Sequence, residues 1–443
     1  MNLRAQFTDP KKLLIWILLV SVLLRVGSAL YLGNEVVELP GTADQESYHN
    51  LALRVLDGHG FSFGEQWWPA TRANEPTAHW SFLYTLYLVA VYALTGSSPL
   101  AARLLQAVLV GILMPWLVYR VAQRLFSPRA GAEMTQPEWQ RGQWIGLIAA
   151  GITAVYIYFF YYAGALMTES FYITSILWSF DVALGIKMAE RPLLRQWLHL
   201  GLALSVVVLL RQLFLLFIPF LLLWLWWSTR PKLWQVALPF MIVILMMLPW
   251  IIRNYIVFDQ FVMLNTNSGY AFYWGNHPIY GTKFIPILPP EMGSYYSLIP
   301  QDLLYLNEAK LDSALLKLAL ADIMADPGRY LLLSLSRIPP YFEFWPTAKS
   351  SVVSNVSRVA SFGLFLPFML YGLIRTFRYR YGGWRQWLAS PFTLIYLFIL
   401  VYTGIHLLTW TLVRYRLPID AFLTIFAALA LWQLAQWVQR RRS

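Results

Sequence analysis

The sequence of 443 residues contains no cysteine, so disulfides, thiolate metal sites and cysteine nucleophiles are excluded from the outset. Charge is scarce as well: only 13% of residues are Asp, Glu, Lys or Arg, against 58% hydrophobic and 17% aromatic. A chain with so little charge lacks the polar surface of a water-soluble fold. Its six histidines, His49, His59, His79, His199, His277 and His406, show neither HExxH nor a comparable ligand spacing. They read as satisfied polar residues, not metal ligands. No strong internal repeat and no low-complexity linker is evident.

Apolar segments fill the sequence instead, recurring from Leu13 to Trp437. About 20 such residues cross a bilayer as a helix, whose backbone groups satisfy one another where water is absent. The expected spans are Leu13 to Leu32, Ala101 to Val121, Trp144 to Leu166, Phe171 to Ile186, Trp197 to Leu210, Leu213 to Trp227, Leu233 to Ile252, Val359 to Ile374, Pro391 to Trp410 and Pro418 to Trp437. The fold class is therefore an all-α polytopic membrane protein, a bundle of about ten transmembrane helices with interfacial helices and two exported loops.

The net charge of +12 does not imply nucleic acid, because the basic residues sit in short clusters between apolar runs, where anionic lipid and topology signals account for them. Arg120, Arg124, Arg129 and Arg141 follow the second span, Lys187, Arg191 and Arg195 the fourth, and Arg230 and Lys232 the sixth. Arg375, Arg378, Arg380 and Arg385 follow the eighth, and Arg440, Arg441 and Arg442 close the chain. These clusters are expected inside, which puts both termini on the cytoplasmic side of an inner or plasma membrane. Arg4, Lys11 and Lys12 before the first apolar run resemble a signal peptide, but the run extends to Leu32 without a small-residue cleavage site, so it reads as a retained helix.

Trp80 to Leu94 and Tyr330 to Phe344 are also apolar. Letting both span would carry the basic clusters between them to the outer face, so they are expected to lie at the outer interface. The chain then divides into a membrane module, 1–252, containing a first exported loop at 33–98, a second exported loop at 253–358, and closing helices at 359–443. Most carboxylates fall outside, among them Asp44, Glu46, Asp57, Glu75, Asp259 and Asp326, and polar chemistry is expected on that face.

Asp44 opens a helical pattern just after the first span and can act as a base; it can equally cap that helix. Glu169, in ALMTES, sits at the exported mouth of the turn between the third and fourth spans, where the helix dipole alone would favour it and Thr168 could cap. Arg211 lies at the outer turn between the fifth and sixth spans and could clamp a lipid phosphate. Arg414 and Arg416, in RYRLPI, suit a phosphate or pyrophosphate, or a basic interfacial anchor. Arg25 and Arg103 are expected to snorkel to headgroups. Glu46, Tyr48, His49 and Asn276 are candidate substrate contacts, and a divalent cation, Mg or Mn, could use Asp44 and Glu169. Tyr156, Tyr158, Tyr161, Tyr162, Trp67 and Trp68 could stack on a sugar or form an interfacial girdle. Asp181, costly in lipid, needs a partner or a wet cavity.

Taken in order, Asp44 with Tyr48 four residues on, ALMTES, PWIIRNYIVFDQFVMLNTNSGYAFYWGNHP and RYRLPI resemble the GT-C superfamily, in the branch related to protein O-mannosyltransferases and the lipid A aminoarabinose transferase. The resemblance covers nearly all the chain. It implies that Asp44 is the base, with Gln45 where a second acid is often found, that Glu169 is the second exported carboxylate, and that Arg211 lies near the donor phosphate. It also implies a polyprenyl-phosphate sugar donor, an inverting displacement, and a lipid, glycan or protein acceptor. TAHWSFLY departs from the usual Pro-containing version. Two other classes fit a polar cavity in a helical bundle: a lipid-linked glycan transporter or flippase, and a glycan polymerase or ligase using a pyrophosphate-linked donor.

Overall fold

A computed structural model describes residues 9–39, 41–68, 71–126, 136–348, 350–379 and 381–442; Arg4, Arg129 and Arg380 lie outside them. In chain order the helices are α1 (Pro10–Leu32), α2 (Asp44–Leu56), α3 (Phe82–Thr95), α4 (Pro99–Phe126), α5 (Gln136–Val155), α6 (Ile157–Gly164), α7 (Glu169–Met188), α8 (Leu194–Leu210) and α9 (Ile218–Thr229). There follow α10 (Leu233–Phe258), α11 (Ser268–Asn276), α12 (Glu308–Ala325), α13 (Pro327–Leu335), α14 (Val352–Arg358), α15 (Leu364–Phe377), α16 (Pro391–Leu408) and α17 (Leu417–Arg442). Among the described residues the only β-pairing is a few isolated bridges between 62 and 77.

The protein is an all-α polytopic membrane protein. Eight helical stretches are long and apolar enough to cross a membrane, and α5 with α6 makes a ninth if the bent pair counts as one span. The apolar α8 has 17 residues, about 26 Å at the rise of an α-helix. Every predicted span is matched by a helix or helix pair, though α8, like α3, is shorter than the helices long enough to cross. By the same measure α3, with 14 residues, reaches only about 21 Å, short of the roughly 30 Å hydrocarbon layer. The Tyr330 to Phe344 stretch is broken too, because α13 ends before Pro339 and Pro340.

The third span departs from expectation. It bends by 53° between α5 and α6, where Tyr156 is extended (φ −67°, ψ 112°) and its hydroxyl donates to Asp420 Oδ2 at 2.8 Å. A break at this depth frees carbonyls that lipid cannot satisfy. Arg25 of α1 supplies the donors: its guanidinium reaches the Thr153 and Ala154 carbonyls, each at 3.3 Å, and Ser21 Oγ at 2.6 Å. Fully buried, Arg25 does not snorkel. Nor does Arg103, also fully buried, which donates to the carbonyls of Gly33 (2.5 Å) and Glu35 (2.8 Å) and to Gln45 Oε1 (3.2 Å). It folds the start of the first connecting segment back over α4 and fixes the first turn of α2.

The most apolar 18-residue window of Val413–Arg441 is 78% buried, against 17% for that of Pro10–Leu32, which makes the first half of α17 a central rod and α1 an outer one. A Cβ on Gly372 would lie 2.1 Å from the Phe426 carbonyl, so α15 and α17 touch backbone to backbone, as small residues permit between membrane helices. Asp181 of α7 pairs with Arg120 (3.1 Å) and Arg124 (2.6 Å) of α4, a helix-packing contact.

The two long connecting segments dock on each other at one end of the bundle. Glu308, buried at the start of α12, accepts at Oε2 from the hydroxyls of Thr71 (2.7 Å) and Thr77 (2.8 Å), and at Oε1 from the Ala78 N–H (2.8 Å) and the Thr266 hydroxyl. Arg72 donates to the Leu304 and Leu306 carbonyls. Asp312 receives the N–H groups of Gly269 (2.7 Å) and Tyr270 (3.1 Å) at the start of α11. Burial nevertheless pushes its carboxyl up to about 7, against the pull of those N–H donors.

A carboxyl raised on folding binds its proton more tightly in the native state, so its contribution to stability is present at low pH and lost as pH rises through about 7. Thermal unfolding of wild type and Asp312→Asn is expected to differ least below about pH 4, where the carboxyl is protonated in both folded and unfolded chains. Wild type should lose stability relative to the variant as pH rises from there to about 7 and the difference should level off beyond it.

Candidate active site

Four chain turns meet beside the docked segments, and each brings one charged side chain. Asp44 is the first residue of α2 and Glu169 the first of α7, so both carboxylates sit at helix N-termini, where the dipole favours negative charge. Neither helix is capped by a side chain in the expected way: the caps are Ala43 and Thr168, without a side-chain cap bond. The two carboxylates are used elsewhere.

Arg211 ends α8 in an extended conformation (φ −150°, ψ 111°), which turns its side chain across to Glu169 Oε1 at 2.5 Å and to Thr168 Oγ1 at 2.8 Å. Arg414 lies in the 3₁₀ turn before α17. It bonds Asp44 Oδ2 at 2.8 Å and the Gly41 carbonyl at 3.1 Å, and its Nε stands 3.7 Å from Glu169 Oε1. Tyr415 lies under both guanidiniums, at 5.4 Å from Arg414 and 5.9 Å from Arg211, and Tyr172 faces Arg211 at 5.4 Å. Cations over aromatic faces in a partly dry site gain about 0.5–2 kcal/mol.

Accessibility divides the cluster. The Glu169 side chain is 2% exposed and the Asp44 side chain 28%, so Asp44 is the carboxylate a substrate can reach. Glu169 Oε2 is buried without a hydrogen-bond partner. Burial alone would lower the Arg211 pKa, but Glu169 beside it more than compensates and holds it above its ordinary range. Tyr48, one helical turn from Asp44 on the same face of α2, is pushed up by burial first and by the Asp44 charge second.

The remaining candidates go elsewhere. Arg416, fully buried, points the opposite way from Arg414: it pairs with Asp420 at 2.9 Å, donates to the Tyr341 carbonyl at 2.8 Å and covers Phe362 at 3.5 Å. It anchors the turn that presents Arg414. Asn276 closes the end of α11, donating to the Phe272 carbonyl and accepting from Arg337, each at 2.8 Å. His49 bonds the Tyr92 hydroxyl at 2.8 Å. Glu46, two residues past Asp44, is on the far side of α2. Gln45 is tied to Val37 and Arg103, which leaves no second acid beside Asp44. Thr168, Tyr172 and Tyr415 belong to the cluster but were not singled out for it from the sequence; their only signal was adjacency to Glu169 and Arg414.

Asp44 and Glu169 both face the Arg414 guanidinium, so a divalent ion held by these two carboxylates would compete with that cation and would draw its remaining oxygen ligands from water or a substrate phosphate. No group of three or more His, Cys, Asp or Glu side chains suitable for a metal occurs among the described residues.

No protein-family model and no curated protein sequence matches the chain. Solved structures do. The archaeal oligosaccharyltransferase AglB from Archaeoglobus fulgidus, in complex with an inhibitory peptide and a dolichol-phosphate, superposes with a TM-score of 0.58 at 14% identity, over 98% of this chain and 51% of that one. Its apo form gives 0.58 at 13% identity, with the same coverage. ArnT from Cupriavidus metallidurans bound to undecaprenyl phosphate gives 0.45 at 12%, over 94% of this chain and 59% of that one. The chain has a GT-C fold. It spans about half the length of the oligosaccharyltransferase, so the shared part is the GT-C helical bundle with its docked segments.

In this GT-C bundle Glu169 is buried against two cations, and removing one leaves a poorly compensated charge. Arg211→Gln is expected to destabilise the protein by about 3 kcal/mol. Adding Glu169→Gln should recover part of that loss, measured as unfolding midpoints in detergent. Simple addition of the two effects would show that the residues do not interact.

Proposed function

We propose that the chain is a membrane glycosyltransferase that moves one hexosyl or pentosyl unit from a polyprenyl-phosphate donor to an acceptor hydroxyl at the non-cytoplasmic face, with both termini cytoplasmic. One observation carries the reading: Asp44, Glu169, Arg211 and Arg414 converge from four separate turns at the end of the bundle where the long segments dock. The shared fold supports the donor class, since the oligosaccharyltransferase structure holds a dolichol-phosphate.

In the proposed step Arg211 and Arg414 hold the donor phosphate through charge-assisted hydrogen bonds. The acceptor hydroxyl gives its proton to Asp44 as its oxygen forms a bond to the anomeric carbon. The bond from that carbon to the phosphate oxygen breaks, and its electron pair leaves with the phosphate. One negative charge passes from Asp44 to the leaving group, and the guanidiniums stabilise it where it develops. Attack opposite the leaving group inverts the anomeric centre. No metal enters this step.

Transfer from a labelled polyprenyl-phosphate sugar is expected to fall about 10²–10⁴-fold in Asp44→Asn with membrane insertion and donor binding retained. Arg211→Ala should chiefly weaken donor binding, and EDTA should leave the rate unchanged. Normal turnover by Asp44→Asn would falsify the assignment of the base, and loss of activity in EDTA restored by Mg would refute the metal-free step.

A further inference from the structure

Beside the charged cluster lies a group of side chains that the proposed step does not use. Trp68 is its hub: its ring centroid stands 5.9 Å from Trp274, 6.3 Å from Tyr295, 6.4 Å from His79 and 6.5 Å from Trp80. Trp68 is held at φ +57°, the left-handed region that bulky residues avoid, yet 43% of it remains exposed. The fold thus strains its backbone to keep an indole face open, and such strain concentrates where a ligand is clamped.

The wall joins the charged cluster at both ends. Tyr48, a turn from Asp44, meets Trp80 edge-on at 5.7 Å. Trp410, four residues before Arg414, lies 5.4 Å from Tyr295 and 6.5 Å from Trp274.

Polar atoms inside the wall lack partners. Trp80 Nε1, Trp274 Nε1, the Tyr270 hydroxyl and His79 Nδ1 are all buried without a hydrogen bond. Native proteins pair the large majority of such atoms, and an indole N–H can only donate. These are neutral groups: burial pushes His79 down to about 4. A complementary ligand needs an apolar face for the rings, hydroxyl oxygens for the donors and no formal charge. A sugar ring, with C–H bonds on its face and hydroxyls round its rim, meets all three. Strand addition, one of the ways a peptide is bound, has no edge to use here, since the described residues form no strand.

We propose that the acceptor is a neutral saccharide, seated on Trp68 and hydrogen-bonded by Trp80 and Trp274, so that its hydroxyl reaches Asp44. The last clause rests on the glycosyltransferase reading, whereas the saccharide subsite stands on the wall's own geometry.

The test is calorimetric titration of the purified full chain in detergent with neutral di- to tetrasaccharides (gluco-, manno- and galacto-configured) and, in parallel, with a Thr-containing hexapeptide. Undecaprenyl phosphate binding serves as the fold control. Saturable binding of at least one saccharide is expected, weakened about 10-fold by Trp68→Ala. Trp274→Phe, which keeps a ring and removes the N–H, should weaken it about 5-fold, as loss of one neutral hydrogen bond predicts. Binding of the peptide but of no saccharide, or saccharide binding indifferent to both substitutions, overturns the proposal. Asp44→Asn separates it from the catalytic reading: full transfer by that variant with saccharide binding intact removes the base and leaves the subsite standing.

Discussion

One guanidinium organises the site. Arg414 stands between two carboxylates carried on separate helices, 2.8 Å from Asp44 and 3.7 Å from Glu169. Two negative charges close together in a partly dry site repel each other and resist common ionisation. A cation between them reverses that, and Arg211, meeting the same Oε1 of Glu169 as Arg414, completes a chain of alternating charge. The architecture serves this contact: Arg103 pins the turn before Asp44, Arg416 locks the turn carrying Arg414 into the bundle, and the break after α5 is closed by Arg25 and Asp420.

Hydropathy depends on local composition, and for that reason the spans were legible in the sequence, including the two apolar stretches too short or too broken to cross. That Asp44 and Glu169 open helices was legible because each stands at a turn after an apolar run. The arginines divide differently. A sequence shows that Arg25, Arg103 and Arg416 lie near an interface but not what they face. Their partners are mostly backbone carbonyls, with the Ser21 hydroxyl, the Gln45 amide oxygen and the Asp420 carboxylate, and the carbonyls that Arg25 meets are freed by a bend at Tyr156, more than 120 residues away, that no local pattern announced. Arg414 and Arg416 lie two residues apart within one 3₁₀ turn, where three residues complete a turn, so their side chains leave on different sides.

The aromatic wall shows the same limit. Trp67 and Trp68 stood out equally as possible sugar platforms, yet Trp67 stacks on Phe63 and gives its N–H to Ser47, while the positive φ of Trp68 turns its ring toward the second segment. Trp274 and Tyr295 lie more than 200 positions further on and meet Trp68 only because Glu308 and Arg72 lock the segments together. The tyrosines of the third span, read as girdle or platform, are largely absorbed into the core: Tyr156 and Tyr162 are buried, with Tyr156 serving Asp420.

The unequal burial of the two carboxylates gives them unequal work. Breaking a buried ion pair by removing one partner costs several kcal/mol, because the other charge is left uncompensated. Glu169, almost wholly enclosed, is the partner of Arg211 and stands close enough to share Arg414. Asp44 is open enough to exchange partners. In the proposed step, Arg414 turns its Nη atoms to the donor phosphate while its Nε stays beside Glu169, which frees the Asp44 carboxylate to accept a proton. Two guanidiniums and two carboxylates sum to zero, and a phosphodiester donor would add one negative charge. The proposed transfer moves charge from Asp44 to the leaving phosphate without changing the total, so the low-dielectric site would carry no new net charge through the reaction.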